Sequence, residues 1–237
     1  MWAIVVAGGS GHRFGGPKQF LQLAGRPVAA WAVSAARTAA DGVVLVVPDP
    51  SGDAHRPVDD AESQAPVDGG AEGGADNGPR GWGADCVVTG GPSRADSVRA
   101  GLAAVPDDAT IIVVHDAARP LASPALFAAV VGAVRDGDAE GAIPVLAVSD
   151  TLKRTSGDLV GSTVDRDGLV TVQTPQAFAA ATLRAAHRSG GQTTDDAGLL
   201  EQLGAPVRTV PGEPWNLKLT RPEDLDIAEA LRGTVTW

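Results

Sequence analysis

Trp2-Ala3-Ile4-Val5-Val6-Ala7 runs into Gly8-Gly9-Ser10-Gly11-His12-Arg13, and then Phe14-Gly15-Gly16-Pro17-Lys18-Gln19. A short apolar run bounded by glycines reads as a buried strand. Glycines directly after it let the backbone approach a ligand closely and turn N–H groups toward it. Arg13 and Lys18 add two positive charges at the same place. Two cations beside exposed N–H groups repel each other unless an anion lies between them, so the stretch suits a polyphosphate. The Walker loop is excluded, because Pro17 separates Gly16 from Lys18 and Gln19 stands where Ser or Thr should be. The dinucleotide fingerprint is excluded too, because its third glycine position is Phe14. A plain glycine turn is the alternative for the pattern taken alone.

Outward from this loop the chain alternates. Apolar, strand-like runs recur at residues 3–7, 43–47, 87–89, 110–114 and 141–148. Helical spacing of apolar residues fills 27–40 and 95–105. Ser123 before Pro124 is a helix start that predicts a helix to about Arg135, and Pro222 opens a last helix through Leu231. The alternation predicts one α/β domain over residues 1–237, a doubly wound and mainly parallel sheet with helices on both faces. Two segments interrupt it. Residues 51–83 carry eight glycines and hardly a hydrophobe, too little apolar surface to offset ordering entropy, and read as a mobile acidic insertion. Residues 149–172 alternate Val and Thr with polar residues and turn near Ser156-Gly157-Asp158, a two-stranded arm. An isolated ribbon is marginal in water, so this arm is expected to pack on a second subunit in a homodimer.

Composition bounds the partners. The net charge of −10 argues against nucleic acid, and residues 49–85 hold nine acids against two bases, −7 of that total. The remaining body is compatible with an anionic substrate. No apolar run approaches the length of about 20 residues that a membrane span needs. Cys86 is the one cysteine, read as a small buried hydrophobe, and a basic signal region is lacking, so a cytoplasmic location is expected.

In an open α/β sheet, ligands bind beyond the carboxyl ends of the strands. Four polar segments fall there: 8–18, 90–97, 115–120 and 193–196. In Gly90-Gly91-Pro92-Ser93-Arg94-Ala95-Asp96-Ser97-Val98, small residues suit a nucleobase and ribose pocket; helix capping by Ser93 or Asp96 is the alternative. In His115-Asp116-Ala117-Ala118-Arg119-Pro120, Asp116 suits a metal or substrate hydroxyls and Arg119 a phosphate; a surface Asp–Arg pair is the alternative. His115 is expected to pack or cap. The chain has three lysines, Lys18, Lys153 and Lys218, and Lys153 reads as a surface charge.

Ala7-Gly8-Gly9 with Arg13 and Pro17-Lys18-Gln19, Gly90-Gly91 with Asp96-Ser97-Val98, His115 to Pro120, Ser149-Asp150-Thr151-Leu152-Lys153-Arg154, Thr174-Pro175-Gln176, Thr194-Asp195-Asp196 and Asn216-Leu217-Lys218-Leu219-Thr220-Arg221-Pro222-Glu223-Asp224-Leu225 occur in that order. Together they resemble the 2-C-methyl-D-erythritol 4-phosphate cytidylyltransferases of non-mevalonate isoprenoid synthesis. The resemblance departs from the family pattern in the long acidic stretch after Asp49 and in the lack of an aromatic residue before Thr174. It implies a Rossmann-like nucleotidyltransferase fold with a protruding dimerisation arm. It implies cytidylyl transfer from CTP to 2-C-methyl-D-erythritol 4-phosphate, with pyrophosphate release and Mg²⁺ as cofactor. Ala7, Gly8, Gly9, Gly11, Gly91, Asp96 and Ser97 would line the CTP site. Arg13, Lys18 and Lys218 would be catalytic cations. Asp116, Ala117, Arg119, Thr174 and Thr194 would surround the acceptor, with Asp116 also offered to Mg²⁺. Thr151 and Arg166 would reach the acceptor phosphate of the dimer mate. A ribitol 5-phosphate cytidylyltransferase and a non-catalytic nucleotide-binding module are the alternatives.

Overall fold

The N-terminal apolar run forms β1 (Trp2–Val6), an interior strand of an eight-stranded sheet. The computed structural model describes residues 1–9, 18–49, 78–191 and 193–234. After β1 come two short paired strands, β2 (Gln22–Leu23) and β3 (Arg26–Pro27), then α1 (Val28–Arg37) and β4 (Gly42–Val47). Next follow β5 (Cys86–Thr89), α2 (Arg94–Ala104), β6 (Ile111–Asp116), α3 (Pro124–Arg135) and β7 (Gly141–Ala147). The ribbon β8 (Leu152–Ser156) and β9 (Leu159–Val164), then β10 (Val170–Val172), β11 (Gln176–Ala179), α4 (Ala180–Arg188) and α5 (Asp196–Gln202) come after it. The chain closes with β12 (Val207–Pro211) and α6 (Glu223–Leu231).

The sheet runs β5-β4-β1-β6-β11-β7, with β12 and β10 also on β7. β5, β4, β1 and β6 are parallel to one another, as β12 is to β7, while β11 and β10 run antiparallel. The doubly wound, mainly parallel sheet expected from the alternation is present. Central strands buried on both faces must be apolar throughout, which is why β4 reads Gly-Val-Val-Leu-Val-Val. One face packs on α1 and α3 through residues such as Ala32, Val33, Phe127 and Val130. The other packs on α2, α4 and α5 through Val98, Leu102, Leu183 and Leu199. Leu23, Val28, Trp31, Leu121, Leu219 and Ala228 make a third, smaller core beside α6.

Helix starts follow the local chemistry. Ser123 caps α3, accepting from the Leu126 amide at 3.1 Å, with Pro124 at the first position. Ser93 and Asp96 form a reciprocal capping box at the start of α2. Cys86 opens β5 half-buried rather than enclosed. Most of the acidic segment lies outside the described residues, but its end does not. Pro79–Trp82 form a 3₁₀ turn, and Trp82 is buried against the α1 face with its ring 5.6 Å from that of Phe20.

β8 and β9 pair antiparallel about Gly157, which takes a left-handed φ of 60° at the turn. The ribbon pairs with neither the main sheet nor the β2–β3 pair, and most of it is exposed, with Leu159 and Val160 72% and 71% open.

Candidate active site

β1 leads through α1 to β4 on one side, and β6 flanks β1 on the other, so the carboxyl ends of β1 and β6 bound the crevice where strand order reverses. The segments after these two strands are each tied to a neighbouring strand. The Ala7 amide bonds the Val46 carbonyl at 2.7 Å, and the Ala117 amide bonds that of Val6 at 3.0 Å. Ala7 and Ala117 are both buried. Gly9 is exposed, and among the described residues no atom lies within 4 Å of where its side chain would stand. Gly8 and Gly91 answer to packing as well. A Cβ on Gly8 would meet Ser97 Oγ at 3.0 Å, and one on Gly91 would meet Asp96 Cβ at 2.3 Å. Ser97 is buried and donates to the Ser93 carbonyl at 3.0 Å. The Asp96 carboxylate accepts from the Ser93 amide at 3.1 Å and pairs with Arg99, so the capping reading of this loop holds. Gly11 and Arg13 lie outside the described residues. Gln19 donates to the Gly9 carbonyl at 3.3 Å.

Asp116, the last residue of β6, is the electrostatic centre. It is not half of a surface pair with Arg119. It is buried, with Oδ1 3.2 Å from Arg94 Nε and Oδ2 2.6 Å from Lys218 Nζ. Burial alone would push its carboxyl upward, but the charges of Arg94 and Lys218 outweigh that and hold it well below the usual carboxylate range. Lys218 is delivered by the segment before α6, where Leu219 beside it is anchored in the small core. The Leu219 amide bonds the Ala118 carbonyl at 2.8 Å, and the Leu219 carbonyl accepts from Lys18 Nζ across 201 residues of sequence. Lys18 and Asp116, far apart in the chain, are therefore tied to neighbouring residues of one segment, Lys18 to Leu219 and Asp116 to Lys218.

His115 is fully buried, edge-on to Phe127 at 5.1 Å between ring centroids. Its Nε2 is 3.1 Å from the Arg119 carbonyl, which can only accept, so the proton sits on Nε2. Nδ1 then accepts from Thr174 Oγ1 at 3.1 Å, while Thr174 Oγ1 accepts from the Asp116 amide at 3.0 Å. Burial holds the imidazole down to about 4, so it is neutral and serves as a brace. Arg119 donates to the Asn216 and Val172 carbonyls at 2.7 and 3.3 Å, tying two loops beside the site. Thr194 is exposed beside Asp195, which caps α5 and accepts from Gln176 Nε2 at 3.0 Å. Thr151 and Arg166 sit apart from the Asp116 cluster. Both are exposed at the base of the ribbon, where Arg166 bonds the Ser149 carbonyl, and Lys153 bonds Thr163 on the ribbon surface at 2.6 Å.

Several positioning residues were given no role by the sequence. Arg94 and Asp196 are ion-paired at 2.8 Å. Gln173 holds the Glu213 backbone at 3.0 and 2.8 Å, and buried Asn216 donates to the Thr174 carbonyl at 2.9 Å. One signal pointed to Arg94. A cation in the first turn of a helix opposes the macrodipole and needs an anion nearby.

Residues 83–233 match the family model for IspD, 2-C-methyl-D-erythritol 4-phosphate cytidylyltransferase. The cytidylyltransferase of Nocardia farcinica is 42% identical over 97% of this chain and 92% of its own length. The bifunctional IspD/IspF enzyme of Nitratidesulfovibrio vulgaris is 44% identical over 99% of this chain; the chain spans 59% of that relative. The crystal structure of the cytidylyltransferase from Thermus thermophilus superposes with a TM-score of 0.76 at 35% identity, covering 97% of this chain and 98% of that one. With its fold, ordered motifs and charged crevice in agreement, the chain belongs to the 2-C-methyl-D-erythritol 4-phosphate cytidylyltransferase family.

Proposed function

We propose that the chain transfers a cytidylyl group from CTP to 2-C-methyl-D-erythritol 4-phosphate, releasing pyrophosphate and forming 4-(CDP)-2-C-methyl-D-erythritol. The tie of Lys18 to Leu219 and of its neighbour Lys218 to Asp116, which joins the segments after β1 and β6, is the observation that carries this reading. An oxygen of the acceptor phosphate attacks the α-phosphorus of CTP, and the bond to the β-phosphate oxygen breaks in line with it. A phosphate monoester has its second pKa at about 6, so the nucleophile is already ionised near neutrality and no general base is needed. A buried, neutral and fully bonded His115 accords with that. The protein's work is alignment and charge neutralisation.

Ala7, Gly8, Gly9, Gly11, Gly91, Asp96 and Ser97 line the nucleotide in this proposal. Arg13, Lys18 and Lys218 face its phosphates, and Asp116, Ala117, Arg119, Thr174 and Thr194 surround the acceptor. Thr151 and Arg166 come from the ribbon of a second copy in a homodimer, working in the cytoplasm. Among the described residues no cluster of three His, Cys, Asp or Glu offers a cage for a metal. Ionised Asp116 keeps unused lone pairs on both oxygens, which fits Mg²⁺ carried mainly by triphosphate and water. Bound there, Mg²⁺ would offset charge on the phosphate oxygens. Among the described residues no helix is long and apolar enough to cross a membrane.

The test is pyrophosphate release from CTP with each candidate acceptor. Methylerythritol phosphate should support turnover and ribitol 5-phosphate should not. Turnover with ribitol 5-phosphate alone, or with neither, would overturn the proposal.

A further inference from the structure

Arg94 opens α2 and meets two carboxylates from different elements: Asp116 at the end of β6 and Asp196 at the start of α5. Asp196 is almost wholly buried, and its other oxygen accepts from His187 Nε2 of α4 at 2.9 Å. Buried charge persists only when paired. Two carboxylates against Arg94 and Lys218 balance, with His187 as a further donor. The guanidinium thus staples the helix that carries the glycine loop to the strand that carries Asp116.

The geometry has a directional consequence. Arg94 presents Nη1 to Asp196 and only Nε to Asp116, so Asp116 Oδ1 faces Arg94 while Oδ2 faces Lys218 without a second cation against it. A guanidinium released from Asp196 can turn its forked edge onto Asp116 and take both oxygens, the arrangement arginine prefers with a carboxylate. We infer that Asp196 is a positioning residue for the transfer: it keeps Arg94 turned so that Asp116 can hold Lys218 at the reacting phosphates. The inference rests on the cytidylyl-transfer reading above.

The experiment is a double-mutant cycle on pyrophosphate release, with thermal melts and with the NMR signal of the Arg94 Nε–H group as an activity-independent readout. Asp196→Asn should lower kcat about tenfold, with KM for CTP nearly unchanged, the scale seen when an outer-shell partner is lost. In an Arg94→Gln background Asp196→Asn should cost nothing further, and Asp196→Glu should recover part of the rate. Multiplying effects in the double variant, or normal kcat in Asp196→Asn, would overturn the inference. If Asp196→Asn fails to fold, Arg94→Lys takes its place. A lysine keeps the charge but cannot bridge both carboxylates, so normal turnover in that variant overturns the inference equally. If the unaltered enzyme releases no pyrophosphate, the transfer reading fails by itself. An Arg94 signal unmoved in Asp196→Asn then separately removes the bridge.

Discussion

Around Asp116, charge is settled inside the chain; along the β8–β9 ribbon it is left facing outward. Asp116 meets Arg94 and Lys218, and Asp196 meets Arg94 and His187, all within 3.2 Å. On the ribbon Lys153, Arg154 and Arg166 are exposed, beside the open side chains of Leu159 and Val160. A preorganised charge cluster needs little rearrangement to meet a developing transition state. A bare two-stranded ribbon with apolar residues at its tip has little reason to hold its shape alone. In the proposed homodimer this contrast is a division of labour: the sheet end supplies fixed electrostatics, and the ribbon supplies contacts to the second copy.

The largest expected effect strikes the settled half. Lys218→Ala should reduce kcat by roughly 10²–10³-fold with the circular dichroism spectrum intact, the usual consequence of removing one group that stabilises transition-state charge. Turnover within a fewfold of normal would break the comparison, because the cluster would then be structural only. The next effect tests the outward half. Arg166→Ala should lower activity about tenfold, mainly through KM for the acceptor, as loss of a charged hydrogen bond does. Mixing it with Lys18→Ala should restore roughly a quarter of normal activity, since half of randomly paired dimers would carry one intact site. No recovery on mixing would place Arg166 in its own subunit's site or in none. Lys153→Ala, at a bond between ribbon strands, should leave turnover within about twofold, as ordinary surface substitutions do.

A separate effect, on stability rather than turnover, concerns pH. Unfolded His115 takes a proton at its ordinary 6.5, whereas burial holds the folded imidazole down to about 4. Between those values the unfolded chain binds more protons, so stability is full above 6.5 and falls as pH drops toward 4. The loss should approach about 3 kcal/mol at the lower limit. Melting temperatures taken across that range should show it, and His115→Gln should flatten the slope. Asp116 acts lower, since its depressed carboxyl contributes above its ordinary 3.8 and is lost only on further acidification. An unchanged slope in His115→Gln would assign the acid sensitivity elsewhere.

The contrast also marks what could be read from residues alone. Continuous apolar runs announced β1, β4 and β6, apolar spacing announced α2, and the Ser123 cap announced α3, because those signals are local. β11 spans four residues and β12 carries Arg208 and Pro211, so neither shows a clear strand pattern. Asp116, Lys218 and Thr174 were legible through their motifs, and the structure brings them together. Asp196 and Asn216 stood in quoted motifs without a role of their own and Gln173 stood in none, since nothing local names partners 40 to 102 residues away. Gly8 and Gly91 looked like openings for a ligand, yet they are equally demanded by Ser97 and Asp96, and no spacing rule tells those two needs apart.

Leu219 commits its amide to Ala118, its carbonyl to Lys18 and its side chain to the small core beside α6. The segment that bears Lys218 and receives Lys18 is therefore footed in the small core, separate from the large sheet cores. Shrinking the Leu219 side chain would loosen the segment that bears Lys218 while both large cores stay filled.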